Sequence, residues 1–186
     1  MKFDDHIEAK FSELEEIKRV TQVPNINRET GQFLYDLILE RKPSHILEVG
    51  AANGYSTIWI GLASQSYGGK VTTIELSDVS VPQLQQNLND VFLENVTIIH
   101  EDAKRVLRDW DQPIEFAFVD AMKREYERYF KYIESHLTDK GIVIADNVVS
   151  HKDKLKDFLD YVTMNEHYNS ELNPIGAGLM IVTKKK

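Results

Sequence analysis

The sequence predicts a doubly wound α/β fold: a mostly parallel sheet with helices on both faces and an antiparallel hairpin at its C-terminal edge. Three observations carry that expectation. Five short, β-branched apolar runs each precede a longer stretch with helical spacing, which is how crossover units read. The last two strand-like runs, HYNSEL and GLMIVT, are joined only by NPIGAG, too short for a helix and suited to a hairpin. Of the 186 residues 42% are hydrophobic, enough to cover both faces of a sheet.

The elements follow in order. Ile7, Phe11, Leu14 and Ile17 fall at three- and four-residue steps, one face of an amphipathic helix with a charged opposite face. TQVPNIN breaks that pattern, since Pro24 turns its predecessor away from helical geometry and Asn27 suits an N-cap. A second helix turns Leu34, Leu37 and Ile38 inward and ends at Pro43. Strands are then expected at His45–Val49, Val71–Glu75, Val96–His100, Glu115–Asp120 and Gly141–Asp146. The helices between and after them are expected at Tyr55–Ser64, Val81–Phe92, Lys104–Asp109, Arg124–Leu137 and Lys154–Met164. No repeat or linker interrupts the series. The organisation expected is one domain over residues 1–186, with N-terminal helices in 1–42 as a cap or dimer region and a ligand-binding core in 43–186. The run Lys184–Lys186 reads as a solvated tail.

Thirty acidic residues against 22 basic ones give a net charge of -8, which disfavours a broad non-specific footprint on nucleic acid without excluding a local basic groove. The absence of cysteine excludes disulfides, thiolate catalysis and cysteine-type zinc sites. The polar start MKFDDHIEAK has neither the apolar run of a signal peptide nor that of a membrane span, so a cytoplasmic protein is expected. The six histidines show no metal-ligand spacing. His100 is expected near the ligand rim, and His151 on the surface. Trp59 and Trp110 read as packing residues, Trp110 with a place beside an adenine pocket.

In an open parallel sheet, ligands bind beyond the carboxyl ends of the strands. Those ends carry Glu48 and Gly50, Glu75, Glu101 and Asp102, Asp120, then Asp146 and Asn147. Each acid alone reads as a helix cap or a solvated loop residue. Acids at all five strand ends on one rim repel one another and call for a ligand, a cation or both. The first turn, EVGAANGYS, sets Gly50 and Gly54 before a helix, where backbone can approach a ligand closely and N–H groups face an anion. With Glu75 one strand-helix-strand unit later, the turn becomes a nucleoside site, a carboxylate accepting both ribose hydroxyls. Asp120, Asp146 and Asn147 offer oxygen ligands on neighbouring strand ends, suited to a hard cation such as Mg²⁺, with Mn²⁺ or Ca²⁺ as substitutes. Lys123 follows Asp120 in D-x-x-K, an awkward place for a cation at a helix start. The alternative to a surface lysine is a general base for a substrate hydroxyl.

ILEVGAANGYSTIWI, KVTTIEL, FAFVDAMKREY and IVIADNV together resemble the class I S-adenosylmethionine-dependent methyltransferases, specifically the small catechol and caffeoyl-CoA O-methyltransferase group, of Rossmann-like fold. The likeness runs from about Asn25 to the C-terminus. It implies that Glu48 and Gly50 lie near the methionine part of the cofactor and that Tyr55 and Ser56 line the same pocket. It further implies that Glu75 holds the ribose, Asp102 and Ala103 flank the adenine, and Asp120 sits near the transferable methyl. In that group Asp120, Asp146 and Asn147 would be the metal ligands, Lys123 the catalytic base, and the acceptor a hydroxylated small molecule such as a vicinal diol. Relatives commonly pair through N-terminal helices, so a homodimer is expected. Three departures touch acceptor recognition: the segment before the first strand is short, Met122 stands where an acidic or aromatic residue is common, and VVSHK lacks the usual bulky loop. Glu171 falls where catechol-type members carry a substrate-binding acid, and reads equally as an edge-strand charge. Competing readings are a tRNA hydroxyuridine O-methyltransferase, a NAD-dependent dehydrogenase and a non-catalytic cofactor-binding protein. G-x-G-x-x-G and Tyr-x-x-x-Lys are both absent, which counts against the dehydrogenase.

Overall fold

The structure is a computed structural model describing residues 3–21 and 23–185; Gln22 of the expected helix break and Lys186 of the expected tail lie outside the described residues, as do Met1 and Lys2. Helices α1 (Asp5–Thr21) and α2 (Arg28–Arg41) precede strand β1 (His45–Val49). The chain continues through α3 (Tyr55–Gln65), β2 (Lys70–Glu75), α4 (Ser80–Asp90), β3 (Val96–His100), α5 (Ala103–Arg108) and β4 (Ile114–Val119). It ends with α6 (Tyr126–Glu134), β5 (Leu137–Ala145), α7 (Lys156–Met164), β6 (Tyr168–Asn173) and β7 (Leu179–Lys184). Short 3₁₀ turns, Lys123–Glu125 and Lys152–Leu155, lead into α6 and α7.

The seven strands lie in the order β3-β2-β1-β4-β5-β7-β6. β3, β2, β1, β4 and β5 pair in parallel, and β7 joins β5 and β6 antiparallel, which is the expected doubly wound sheet with its terminal hairpin. The order reverses direction at β1 and β4, so their carboxyl ends flank the crevice where such sheets bind ligands.

Side-chain alternation along the strands builds two apolar layers. Ile46, Phe116, Phe118, Ile142 and Ile144 face α1, α2, α3 and α4, while Leu47, Val49, Ala117, Val119 and Val143 face α5, α6 and α7. The apolar stripe of α1 is used within this chain. Phe11 stacks on Trp59 at 4.3 Å and meets Tyr55 edge-on at 5.5 Å, contacts worth about 1 kcal/mol each beyond area burial. The stripe therefore gives no separate ground for a second copy. Asn27 caps α2, its Oδ1 accepting from Thr30 N at 2.8 Å.

Some boundaries differ from the expected ones. α4 stops at Asp90, and Phe92 has a positive φ of 56°, which no helix continues. α6 stops at Glu134 and β5 starts at Leu137, because polar Thr138, Asp139 and Lys140 lie in a strand whose register against β4 shifts between Ile114 and Phe116. Lys184 is the last residue of β7 rather than tail; its ammonium donates to the Leu137 carbonyl. Glu171 is exposed on the edge strand β6. Among the described residues, no helix is long and apolar enough to cross a membrane.

Candidate active site

A cavity of about 410 Å³ opens at the carboxyl ends of β1, β2, β3 and β4. Gly50, Ser56, Glu75, Asp102, Ala103, Asp120 and Lys123, all singled out from the sequence, line it together. Gly50 has φ +90°, and a Cβ there would stand 2.4 Å from the Asp120 carbonyl oxygen. Only glycine lets the first turn pass so close to the next strand end.

Glu75 closes the opposite wall. One carboxylate oxygen accepts from Ala51 N (3.1 Å) and Ala52 N (2.8 Å), and the other from Leu76 N (2.9 Å) and Ser77 N (2.8 Å). These four donors clamp the β1 and β2 turns to one another and occupy the carboxylate's lone pairs. A ribose diol reaching Glu75 must share them. Asp102 caps α5, accepting from Lys104 N at 2.8 Å, so the structure realises its helix-cap reading while leaving the residue on the cavity wall.

Three residues expected at the cofactor stand behind the wall instead. Glu48 is wholly buried and accepts from Ser56 Oγ, Thr57 Oγ1 and Thr73 Oγ1 at 2.6, 2.6 and 2.7 Å. Burial pushes its carboxyl up to about 7, against the pull of those three donors. Gly54 begins α3 with φ +92° beside Leu84. Tyr55 is buried and donates to Glu15 Oε1 at 2.7 Å. Glu48 meets the cavity wall through Ser56, whose hydroxyl it orients.

At the β4 end, Lys123 Nζ donates to Asp120 Oδ1 at 2.6 Å. Asp146, at the end of β5, is 2% exposed and its Oδ1 has no hydrogen-bond partner, while Oδ2 accepts from Asn147 Nδ2 at 3.1 Å. Burial, then the nearby negative charge of Asp120, pushes the Asp146 carboxyl up to about 7. Asn147 takes a left-handed conformation, φ 66°, which asparagine tolerates better than most residues. Among the described residues, no group of three His, Cys, Asp or Glu side chains is placed to hold a metal ion; the expected set has two carboxylates and an amide. Its chemistry nevertheless fits a hard cation: oxygen donors only, one of them buried without a partner, and two carboxylates near enough to repel. Tyr126 is core, packed edge-on against Phe158 at 5.9 Å.

The sequence reading missed the loop from Val23 to Ile26, which forms another wall of the cavity. Lys18 holds it, donating to the carbonyls of Asn25 (2.6 Å) and Ile26 (3.3 Å), and its charge also favours ionised Asp146. A short proline-containing break between helices carries no signal that separates a cavity wall from a plain connector. Trp110 is corrected in the other direction. It lies with His45, Lys70 and Gln112 at the amino ends of the strands, far from any adenine pocket on the opposite rim. His100 sits at the rim but faces outward, 3.1 Å from Asp78 Oδ1.

Residues 47–148 match a family model described as a methyltransferase domain. A catechol O-methyltransferase of Niastella koreensis is 27% identical over 130 residues, 67% of this chain and 58% of that protein. A caffeoyl-CoA O-methyltransferase of Populus kitakamiensis is 28% identical over 130 residues, 65% of this chain and 54% of that protein. The chain thus spans a little over half the length of these curated relatives. A methyltransferase of Podospora anserina, solved with SAH bound, superposes with a TM-score of 0.87 at 20% identity, covering 100% of this chain and 98% of that one, and shares the fold.

Proposed function

The chain belongs to the methyltransferase domain family, and from that premise we propose that it is an S-adenosylmethionine-dependent, divalent-metal-assisted O-methyltransferase acting on a hydroxylated small molecule of vicinal-diol type. The observation that carries this reading is the convergence of the Gly50 turn, Glu75 and the Asp120–Lys123 pair on one cavity.

The residues divide the work. Of the residues that line the cavity, the Gly50 turn and Ser56 would leave room for the methionine part of the donor, Glu75 would meet its ribose, and Asp102 with Ala103 would border its base. Asp120, Asp146 and Asn147 would hold the cation, Mg²⁺ being the best match to their oxygens, and a bound cation would supply acidity to an acceptor hydroxyl. Lys123, once its ammonium has passed a proton to solvent, takes the proton from that hydroxyl as the neutral amine. The resulting oxygen anion attacks the sulfonium methyl in line, forming the O–CH₃ bond as the S–CH₃ bond breaks and leaving S-adenosylhomocysteine. Positioning supplies much of the rate, since no covalent enzyme intermediate is required.

The test is transfer of labelled methyl from S-adenosylmethionine to a panel of catechols, caffeoyl esters and bulk tRNA, with and without Mg²⁺. Product from a small diol only in the presence of the cation is the expected result. Tighter binding of NAD than of S-adenosylhomocysteine would defeat the reading.

A further inference from the structure

Next to the cavity runs a smaller groove that the chemistry above does not use. Met122, Lys123, Arg124, His151 and Lys154 line it. It forms where the 3₁₀ turn before α6 packs against the 3₁₀ turn before α7. Met122 and Lys123 line the cavity as well, so the two spaces share a wall at the residue assigned to take the proton.

The groove is electropositive in a chain whose net charge is -8. Arg124 and Lys154 are exposed, and among the described residues neither enters an ion pair. Two acids sit on these turns. Glu125 is drawn away to Lys104 at 3.4 Å, and Asp153 is exposed and does not line the groove. The third cation, Lys123, is turned into the cavity by Asp120. No carboxylate lines the groove, so its charge is uncompensated by the protein, as in a site that receives an anion. Met122, 59% exposed, supplies apolar surface between the cavity and the cations.

We propose that the methyl acceptor carries an anionic group, carboxylate or phosphate, which docks between Arg124 and Lys154 while its hydroxyl lies beside Lys123. This rests on the methyl-transfer reading. A nucleic acid fits less well: proteins that bind one tightly neutralise roughly 6–10 phosphates, and this groove offers two free cations on an acidic molecule.

Three vicinal diols of one scaffold test it: dihydroxybenzoate, dihydroxybenzyl phosphate and neutral dihydroxybenzyl alcohol. In the wild type, kcat/KM for one anionic acceptor exceeds that for the alcohol by about tenfold or more, the range of a charge-assisted hydrogen bond. Whichever anion gives the larger ratio identifies the group. In the Arg124→Gln/Lys154→Gln double variant, shown by S-adenosylhomocysteine calorimetry to be folded, the ratio falls close to one. Absence of a preference in the wild type, or a preference that the double variant keeps, overturns the proposal. So does saturable methylation of bulk tRNA with no small acceptor used. If no compound is methylated, the transfer reading itself fails, and calorimetry of the same three compounds against S-adenosylhomocysteine-loaded protein still decides the groove. Anion-selective binding lost in the double variant upholds it, and equal binding overturns it.

Discussion

Lys123 Nζ lies 2.6 Å from Asp120 Oδ1, and the two side chains are only 18% and 12% exposed. Asp120 directly follows β4 and lines the cavity, and Lys123, three residues on, stands on the wall shared by the cavity and the basic groove. Asp120 thus fixes where the ammonium stands, while Asp146 on the neighbouring strand keeps an unpartnered oxygen.

This pairing makes Lys123 the first residue to change. If it takes the acceptor proton, Lys123→Met slows methyl transfer on the order of 100-fold or more. S-adenosylhomocysteine affinity stays within a few-fold, because the cofactor's expected contacts lie on other walls. Lys123→Arg keeps the charge and the ion pair but cannot release a proton near neutral pH, so it does not restore the rate. Recovery of activity in the arginine variant, measured by single-turnover transfer, would reduce Lys123 to a structural partner of Asp120.

Gly50 faces a stricter constraint than the other loop residues, since its missing Cβ would meet backbone rather than a movable side chain. Gly50→Ala also forces alanine to φ +90°. Together these costs destabilise the protein by about 2–3 kcal/mol and abolish S-adenosylhomocysteine binding, as read by urea unfolding and calorimetry. An alanine variant that binds normally would mean the turn does not bring backbone against the donor.

Glu48 gives a pH prediction with a definite sign. Burial raises its carboxyl from the ordinary 4.5 to about 7. A group raised in this way contributes stability that is complete below its unfolded value and is lost as pH climbs through its folded value. The window is therefore about pH 4.5 to 7 for Glu48. Glu48→Gln removes the titration, so its melting temperature relative to wild type rises between about pH 4.5 and about pH 7. Parallel melting curves for the two proteins across that range would show that Glu48 does not titrate there.

The sheet was legible because each strand is a short apolar run and each crossover a helical pattern; β1, with Ile46, Leu47 and Val49 buried on alternating faces, is the clearest case. The start of β5 was not, since Thr138, Asp139 and Lys140 look like a loop and lie in the irregular stretch between Leu137, opposite Ile114, and Ile142, opposite Phe116. In the site, Gly50, Glu75, Asp102 and Asp120 were legible from chemistry that few other residues can perform, and they do line the cavity. What the sequence could not separate was which acids face the cavity. Glu48 and Glu75 end adjacent strands, yet the first is wholly buried among hydroxyls and the second lies on the wall. The Val23–Ile26 wall depends on a tertiary contact, Lys18 reaching the loop's carbonyls, for which no local pattern exists.

Asp146 is buried, its Oδ1 lacks a partner, and Asp120 adds negative charge beside it. A buried carboxylate left in that state is costly, and a cation held with Asp120 and the Asn147 amide would remove the cost. Mg²⁺ should therefore raise the melting temperature of the wild type at about pH 8, where Asp146 would otherwise be ionised and uncompensated. Asp146→Asn should lose most of that rise, since it replaces the orphaned carboxylate by a neutral amide. Asn147→Ala should lose part of it. Both variants should bind S-adenosylhomocysteine within a few-fold of wild type, because neither residue lines the cavity proposed to take it. Turnover after exhaustive EDTA treatment should vanish and return on Mg²⁺ addition. Full activity in EDTA, together with melting curves indifferent to Mg²⁺, would show that Asp120, Asp146 and Asn147 are strand-end polar residues and that the reaction proceeds without a metal.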